Sequence, residues 1–196
     1  MAPVVGVLAL QGDFEEHIAS LHRLGKQARE VRTEQQLDAV DRLIVPGGES
    51  TSMAKLMDVY ALREPLRRFA LSGRPVWGTC AGLILLAKRL WEDRPEPLGV
   101  MDMVVQRNGF GRQVDSFTTD IDIASVSGGS FEAVFIRAPK IVEVGPSVEV
   151  LSTLGDGAIV AAREGNVLVT AFHPELTEDD RVHRLFVDMP TGEPAR

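Results

Sequence analysis

The alternation of short apolar runs with amphipathic segments over the first ninety residues restricts the fold of this chain more than any other feature. Apolar runs lie at residues 4–10, 43–45 and 75–77, and a weaker one lies at residues 28–31. Runs without polar alternation are typical of strands buried on both faces. Such strands, separated by helices, predict a parallel sheet that is covered on both sides. We therefore expect an α/β fold, a three-layer sandwich in which helices flank a central, mostly parallel sheet.

Helix signals lie between these strands. Asp13 is placed to cap a first helix, in which Glu16 completes a capping-box-like pair. The other helices are predicted from Thr33 with Gln36 in the capping-box position, from Ser50 or Thr51 to about residue 60, and over residues 63–71, 81–90 and 178–187. The inner faces are predicted to hold Phe14, Ile18 and Leu21 in the first helix, and Met53, Leu56, Met57 and Tyr60 in the third.

The second half of the chain reads differently. Residues 99–172 are rich in β-branched residues and turn glycines and contain no convincing helix. Residues 158–162 and 167–172 predict a hairpin joined through residues 163–166. Strands of this half are expected to complete or flank the parallel sheet. We expect one domain over residues 1–188, followed by a tail over residues 189–196.

Charge and composition exclude several classes of function. The 21 basic and 28 acidic residues give a net charge of −7, which argues against non-specific nucleic-acid binding. No apolar run approaches the roughly 20 residues of a membrane span, and the first residues lack the basic region of a signal peptide. The single cysteine, Cys80, can form neither an internal disulfide nor a thiolate zinc cluster. We therefore expect a reducing compartment, the cytoplasm, and no membrane partner.

Cys80 lies within Gly-Thr-Cys-Ala-Gly, where a buried strand turns directly into a helix. A nucleophile flanked by glycines at such a junction is typical of a nucleophile elbow, since Gly78 and Gly82 clear space around a strained turn. The turn projects the side chain above the carboxyl edge of the sheet, where open α/β sheets bind ligands. The N–H of Ala81 is then free at the helix start to bind an oxyanion. A small buried hydrophobic residue is the alternative for Cys80.

His173 precedes a proline and is followed two residues later by a carboxylate. Proline keeps the preceding residue extended, and residues i and i+2 of an extended chain point to the same side. Glu175 is therefore placed to orient the His173 imidazole, so that one nitrogen holds a proton while the other faces a nucleophile. Taken alone, His173 could equally be a structural histidine. Together with Cys80, the pair predicts a catalytic triad.

The remaining histidines, His17, His22 and His183, have no comparable catalytic partner nearby in the sequence. His17 and His22 lie five residues apart, which is not the spacing of neighbours on one helix face. No candidate nucleophile or carboxylate partner marks His183. We expect all three to be solvated or packing histidines.

A second glycine-rich junction, Pro-Gly-Gly-Glu-Ser-Thr at residues 46–51, also joins a strand to a helix. It lacks a P-loop lysine and dinucleotide spacing, so phosphate binding is weakly supported. Because glycine amides can approach a reacting carbonyl closely, we expect a second oxyanion donor here. A tight turn is the alternative. Arg107 and Arg137 each lie beside small or turn-forming residues, and either could hold a substrate carboxylate or form a surface ion pair.

These elements together resemble the class I (triad) glutamine amidotransferases. The detailed sequence motifs resemble those of the glutaminase subunits of pyridoxal 5′-phosphate synthases. The motifs are ALQGD at residues 9–13 with Glu16-His17, PGGEST at 46–51, GTCAGLILLAK at 78–88, RNGFGRQVDSF at 107–117, FIRAP at 135–139 and HPELTEDDRVHRLF at 173–186. They extend over nearly the whole chain. The departures are Gly109, where alanine is expected, and the variable residues 13–14.

The resemblance implies a flavodoxin-like class I glutamine amidotransferase fold and roles for individual residues. Cys80 would be the nucleophile, His173 the general base and then acid, and Glu175 its orienting partner. Gly48 and Ala81 would form the oxyanion hole. The L-glutamine site would be lined by Gly47, Gly48, Glu49, Arg107, Ile136 and Arg137. No metal and no cofactor is implied.

The resemblance also implies a partner. Ammonia released from glutamine would pass through a tunnel to a separate synthase subunit, which makes pyridoxal 5′-phosphate from ribose 5-phosphate and glyceraldehyde 3-phosphate. The glutaminases would surround a ring-shaped synthase core in a large hetero-oligomer and be poorly active alone. We expect the loop at residues 47–48 to be set by docking of that partner, through residues 11–16.

Three alternatives follow from the same residues. Another triad glutaminase would use the same chemistry with a different partner, for instance a histidine-pathway cyclase. A cysteine peptidase or deglycase on a similar sheet would not hydrolyse glutamine. A non-catalytic binding module would function without Cys80.

Overall fold

The computed structural model describes residues 3–110 and 116–192. Their strands are β1 Val4–Leu8, β2 Gln27–Val31, β3 Arg42–Val45, β4 Val76–Thr79, β5 Ala87–Leu90, β6 Met101–Gln106, β7 Ser116–Ile121, β8 Phe131–Ile136, β9 Lys140–Val144, β10 Glu149–Thr153, β11 Ile159–Glu164 and β12 Val167–Thr170. The helices are α1 Phe14–Arg23, α2 Glu34–Asp38, α3 Ser50–Val59, α4 Arg63–Leu71, α5 Ala81–Leu86 and α6 Arg181–Asp188, with a 3₁₀ turn at Pro174–Leu176.

The main sheet has a parallel half and an antiparallel half. Its strand order is β2-β1-β3-β4-β12-β11-β9-β6-β5, and β10 also pairs with β11. The strands from β2 to β12 run parallel, whereas β11 is antiparallel to both β12 and β9, and β6 is antiparallel to β9. Strands β7 and β8 form a separate antiparallel pair. The predicted fold, a mostly parallel sheet flanked by helices, is confirmed.

Helices cover both faces of the parallel half. On one face, the Trp77 ring packs against His17 of α1 and against His183 and Phe186 of α6. The next residue, Gly78, points to the opposite face, where an added Cβ would lie 2.6 Å from the α5 backbone. Strands β4 and β12 are consequently buried at every position. This explains their largely apolar sequence.

Several local predictions are wrong. The chain over residues 81–90 is helical only to Leu86 and then forms β5, because this stretch pairs with β6 at the end of the sheet. Tyr60 is 56% exposed rather than inward. Glu49, not Ser50 or Thr51, caps α3, and its carboxylate accepts from the Thr51 and Ser52 amides at 3.1 and 2.7 Å.

The two capping-box predictions differ in outcome. The Thr33 hydroxyl accepts from the Gln36 amide at 3.3 Å, so the cap of α2 is confirmed. At α1, Asp13 occupies the N-cap position but its side chain makes no capping bond, because it points toward His173 instead. The predicted hairpin is confirmed as β11 and β12, with Gly165 and Asn166 at the turn.

Two predictions extend beyond the described residues. Residues 111–115 belong to the motif at 107–117, and residues 193–196 to the predicted tail. Among the helices that the structure does describe, none combines the length and the apolar character that crossing a bilayer requires.

Candidate active site

The segments that follow β1, β3, β4 and β12 meet at one edge of the sheet. Because these strands are parallel, their carboxyl ends lie on the same side, where open α/β sheets bind ligands. A cavity of about 330 Å³ opens there, within the size range of small-molecule sites. Its lining residues are Gln11, Asp13, Gly48, Glu49, Ser50, Cys80, Ile84, Arg107, Asn108, Ile136, Arg137 and His173.

Cys80 occupies the sharp turn expected of a nucleophile elbow. Its backbone has φ 47° and ψ −100°, a left-handed conformation that is strained for a residue with a side chain. The turn requires bare glycines around it, since a Cβ on Gly82 would overlap the carbonyl of Val45 in β3. A bond from the Cys80 amide to the Thr170 carbonyl, 2.9 Å long, ties the turn to β12. The strained turn therefore presents the sulfur to the cavity while its backbone stays anchored.

Ala81 begins α5, so its N–H lacks an intrahelical acceptor. The Cys80 Sγ lies 3.9 Å from the Ile136 carbonyl oxygen, which places the end of β8 next to the sulfur. The Cys80 residue is only 7% exposed. An attacking group here is thus reachable from the cavity and sheltered from bulk water.

His173 and Glu175 form a short buried pair at the end of β12. The His173 Nδ1 lies 2.7 Å from the Glu175 Oε1. The His173 amide donates to the Val134 carbonyl at 2.9 Å, which ties this loop to β8. Burial opposes the charge on His173, but bonds to Asp13, Cys80 and Glu175 outweigh it and raise its pKa. Burial is also the largest influence on Glu175 and raises its pKa, against the opposing bond from His173.

Asp13 is a second carboxylate at the same imidazole. Its Oδ2 lies 3.5 Å from His173 Nδ1, and its side chain is 37% exposed. Sequence reasoning assigned Asp13 to helix capping and missed this contact. The available signal was its position directly after a buried strand, because the carboxyl ends of neighbouring parallel strands converge.

Three of the carboxyl-edge side chains could in principle ligate a cation. Asp13, His173 and Glu175 bring one donor atom each within 4.8 Å of one another. The same His173 nitrogen is engaged by Glu175, so a cation would have to displace that bond. The described geometry therefore fits an orienting hydrogen bond better than a metal centre.

The glycine loop after β3 packs against the imidazole and is held from the other side by the segment after β1. A Cβ on Gly47 would lie 2.5 Å from His173 Cε1. The Gly47 carbonyl accepts from the Asp13 amide at 3.1 Å, and the Gln11 Oε1 accepts from the Glu49 amide at 2.8 Å. Two bonds thus set the position of the loop that carries Gly48.

The two candidate arginines have different surroundings. The Arg107 Nη2 lies 3.4 Å from the Glu49 Oε1, and its Nη1 donates to the Arg94 carbonyl at 3.1 Å. Burial opposes ionisation of Glu49, but bonds from Ser52 and Thr51 outweigh it and lower its pKa to about 2. Arg137 lines the cavity with φ 42° and has no ion-pair partner within the described ranges. The Arg137 cation is thus the one left available to an anionic ligand.

His17 is the other functional candidate that sequence reasoning set aside. It is wholly buried, which agrees with the packing alternative, and its Nε2 lies 3.5 Å from the Glu175 Oε2. His22, by contrast, is exposed as expected. His17 follows Asp13 by four residues, one helical turn, and this spacing was the available signal for a shared face.

Comparison with known proteins identifies the family. The model of the SNO glutamine amidotransferase family matches residues 7–191. A Corynebacterium jeikeium protein named pyridoxal 5′-phosphate synthase subunit PdxT is 55% identical over 188 residues, covering 95% of this chain and 96% of the relative. A Herpetosiphon aurantiacus protein of the same name is 54% identical, covering 94% and 99%.

Solved structures agree with this assignment. A crystal structure described as a glutamine amidotransferase is 49% identical, with a TM-score of 0.88 over 94% of this chain and 97% of that one. A chain from the structure of PurLQS from Thermotoga maritima has a TM-score of 0.71 over 96% and 99% at 17% identity, which shows a shared fold alone. The resemblance drawn from the motifs is therefore confirmed, and the chain belongs to the SNO glutamine amidotransferase family.

Proposed function

We propose that this chain hydrolyses L-glutamine to L-glutamate and ammonia through Cys80, His173 and Glu175. The observation that carries the proposal is the meeting of a strained cysteine turn and a carboxylate-paired imidazole at one cavity. Nucleophile, base and orienting group are the three roles of a hydrolytic triad. Membership of a glutamine amidotransferase family supplies the substrate class.

The reaction proceeds by acyl transfer. The Cys80 sulfur attacks the side-chain amide carbon of glutamine and forms a carbon–sulfur bond, while His173 takes the thiol proton. His173 then protonates the leaving nitrogen, and the carbon–nitrogen bond breaks to release ammonia. Water, deprotonated by His173, attacks the γ-glutamyl thioester. The carbon–sulfur bond breaks, and glutamate leaves as the thiol is restored.

Backbone amides would stabilise the charge that develops on the carbonyl oxygen. Ala81 follows Cys80 at the start of α5, and Gly48 lines the same cavity as the sulfur. One such donor is typically worth about 3 kcal/mol in the transition state. We propose these two groups as the oxyanion hole.

The cavity wall provides recognition of the amino acid. Arg137, which lacks an ion-pair partner among the described residues, would bind the substrate α-carboxylate. Glu49, ionised and held by Arg107, would face the α-ammonium group. Gly47 and Ile136 would complete the wall around the substrate.

Ammonia would be delivered to a pyridoxal 5′-phosphate synthase subunit in a hetero-oligomer. The relatives named PdxT, about half identical over nearly their whole length, support this partner over a histidine-pathway cyclase. The segment at residues 11–13, which clamps the glycine loop, offers a route by which docking would set the oxyanion hole. A lone free thiol fits a reducing compartment, and we place the reaction in the cytoplasm.

The test is glutamate release from glutamine, measured with and without the synthase subunit, for the wild type and Cys80→Ala. We expect release in the wild-type complex, its loss in Cys80→Ala, and glutamine binding by both chains. Formation of pyridoxal 5′-phosphate from glutamine, ribose 5-phosphate and glyceraldehyde 3-phosphate would separate this partner from other synthases. Activity that survives in Cys80→Ala would refute the triad, and unchanged activity in a chelator would argue against a metal at Asp13, His173 and Glu175.

A further inference from the structure

A buried row of polar side chains extends from the triad into the interior of the protein. His17 of α1 and His183 of α6 are wholly buried between the sheet and the two helices. The His17 Nδ1 lies 2.9 Å from the His183 Nε2. The His17 Nε2 lies 3.2 Å from the Thr79 Oγ1 and 3.5 Å from the Glu175 Oε2. The row therefore connects α6 to the carboxylate of the triad.

The protonation of both rings follows from their surroundings. Burial, the mutual repulsion with His183 and the nearby His173 lower the pKa of His17, and burial lowers the pKa of His183 to about 4. Each ring is therefore neutral at pH 7 and carries one N–H.

The position of each N–H follows from the hydrogen bonds. The His183 Nδ1 has no hydrogen-bond partner within residues 3–110 and 116–192, and orphaned buried N–H groups are rare in native proteins. The His183 proton is therefore on Nε2, from which it donates to the His17 Nδ1. The His17 proton is consequently on Nε2, which faces Thr79 and Glu175.

The His17 Nε2 lies beside a Glu175 oxygen that lacks a hydrogen-bond partner among the described residues. The Glu175 Oε1 accepts from His173, whereas its Oε2 makes no hydrogen bond of good geometry with the rest of the described chain, and the His17 Nε2 is the ring nitrogen beside it. The carboxyl group is fully buried. A buried carboxylate is costly to ionise, and each added donor favours its charged form.

We propose that His17, held in its tautomer by His183, is a positioning residue of the triad that keeps Glu175 ionised and directed at His173. The inference rests on the proposed glutaminase function. It extends the triad by two residues: His183 orients His17, and His17 orients Glu175. Glu175 in turn orients the base, His173.

Loss of the His17 donor has a predictable effect on the pH dependence. The titratable groups facing Glu175 are His173, Asp13 and His17, and the charged pair nearest His183 is Asp180 with Arg23. Without the donor, Glu175 would take up a proton at a higher pH and cease to support the His173 cation. The acid side of the activity profile would therefore move to higher pH.

The experiment compares three substitutions of His17 with a matched surface control. His17→Gln places an amide nitrogen near the position of Nε2, His17→Asn reaches only to the position of Nδ1, and His17→Leu removes both. His22→Gln, on the exposed side of the same helix, is the control. Glutaminase kinetics are measured over pH in the complex with the synthase. Alkylation by iodoacetamide is measured over pH in the full chain alone, where Cys80 is the single thiol.

We expect His17→Asn and His17→Leu to lower kcat by about 10- to 100-fold with little change in KM, because the charged Glu175 carboxylate would lose its neighbouring N–H. Their acid limb and the pH midpoint of alkylation should both rise, by about one unit for a tenfold effect. His17→Gln should stay within about threefold of wild type, and His22→Gln should be unchanged.

Two results would overturn the proposal: His17→Asn with wild-type kinetics and pH profile, or His17→Gln impaired as much as His17→Asn. If the leucine variant does not fold, the two amide variants decide the question, because they differ in reach but not in polarity. A wild-type complex that hydrolyses no glutamine would refute the proposed function, while the alkylation comparison would still decide the role of His17.

Discussion

A methyl group added at Gly47 tests whether the position of the imidazole limits catalysis. The new Cβ would lie 2.5 Å from the Cε1 and 2.9 Å from the Nδ1 of His173, and 3.0 Å from the Asp13 Oδ2. Carbon atoms in contact lie about 3.5–4.0 Å apart, so the ring must retreat by about 1 Å. The backbone of Gly47 lies outside the left-handed region, so alanine is conformationally acceptable there.

A displacement of about 1 Å can cost about 100-fold in rate, or about 2.7 kcal/mol in activation free energy. We therefore expect Gly47→Ala to lower kcat for glutamate release by about that factor in the complex with the synthase. Gly155→Ala is the matched control, because within residues 3–110 and 116–192 no atom beyond its chain neighbours would lie within 4 Å of the new Cβ, and its backbone also suits alanine.

Thermal unfolding of Gly47→Ala would establish that the variant is folded. A folded Gly47→Ala chain with kcat within about twofold of wild type would refute the reasoning, since it would mean that a shifted imidazole still serves the cysteine. Equal losses in Gly47→Ala and Gly155→Ala would refute it as well, because the effect would then be independent of the contact with His173.

Three further predictions concern other parts of the molecule. Gly82→Ala would force α5 away from the Val45 carbonyl. Calorimetry should show that the free energy of unfolding falls by about 1–3 kcal/mol and that Tm falls by about 2–4 °C for each kcal/mol lost. An unchanged Tm would contradict this prediction. Arg137→Leu should raise KM for glutamine about tenfold or more with kcat nearly retained, and a loss confined to kcat would contradict a role in binding. The folded-state pKa of His183 is about 4, against 6.5 for a free imidazole. As pH falls through that range, the unfolded chain binds a proton at this residue before the folded chain does, so the free energy of unfolding decreases. In urea titrations, wild type should therefore lose about 2 kcal/mol more than His183→Leu between pH 7.5 and 5. The raised pKa of His173 acts with the opposite sign but in both chains, so it cancels in the difference; equal losses in the two chains would contradict the prediction.

The parts of the site that sequence reasoning predicted share a local cause. Cys80 and its flanking glycines form one turn, and His173 and Glu175 lie two residues apart across a proline. In each case the partners lie within five residues of one another, so their proximity can be inferred without knowledge of the fold. The predicted extended chain at Glu175 is wrong, since residues 174–176 form a 3₁₀ turn that brings the carboxylate to the imidazole. A local pattern likewise predicts β1, β3 and β4, whose largely apolar sequences follow from burial on both faces, whereas the edge strand β2 is mostly exposed.

The errors share the opposite cause. Residues 87–90 continue an apolar helical pattern, yet they form β5 because β6 offers an edge for pairing. Asp13 has the sequence of a helix cap, yet its carboxylate faces an imidazole 160 residues further along the chain. In both places a long-range partner outweighs a local preference worth about 1 kcal/mol.

The amino-acid sequence alone determined the α/β class, the cysteine turn, the histidine–glutamate pair and, through its motifs, the family. Only the tertiary structure decided that Arg107 contacts Glu49, that Arg137 lines the cavity without an ion-pair partner among the described residues, and that His17 contacts Glu175. The physical reason is the arrangement of the parallel sheet. Its strand order brings the loops after β1, β3, β4 and β12 to one edge, and the segments after β6 and β8 bring Arg107 and Arg137 to the same cavity. The charges and hydrogen bonds exchanged there depend on distances that no local pattern encodes.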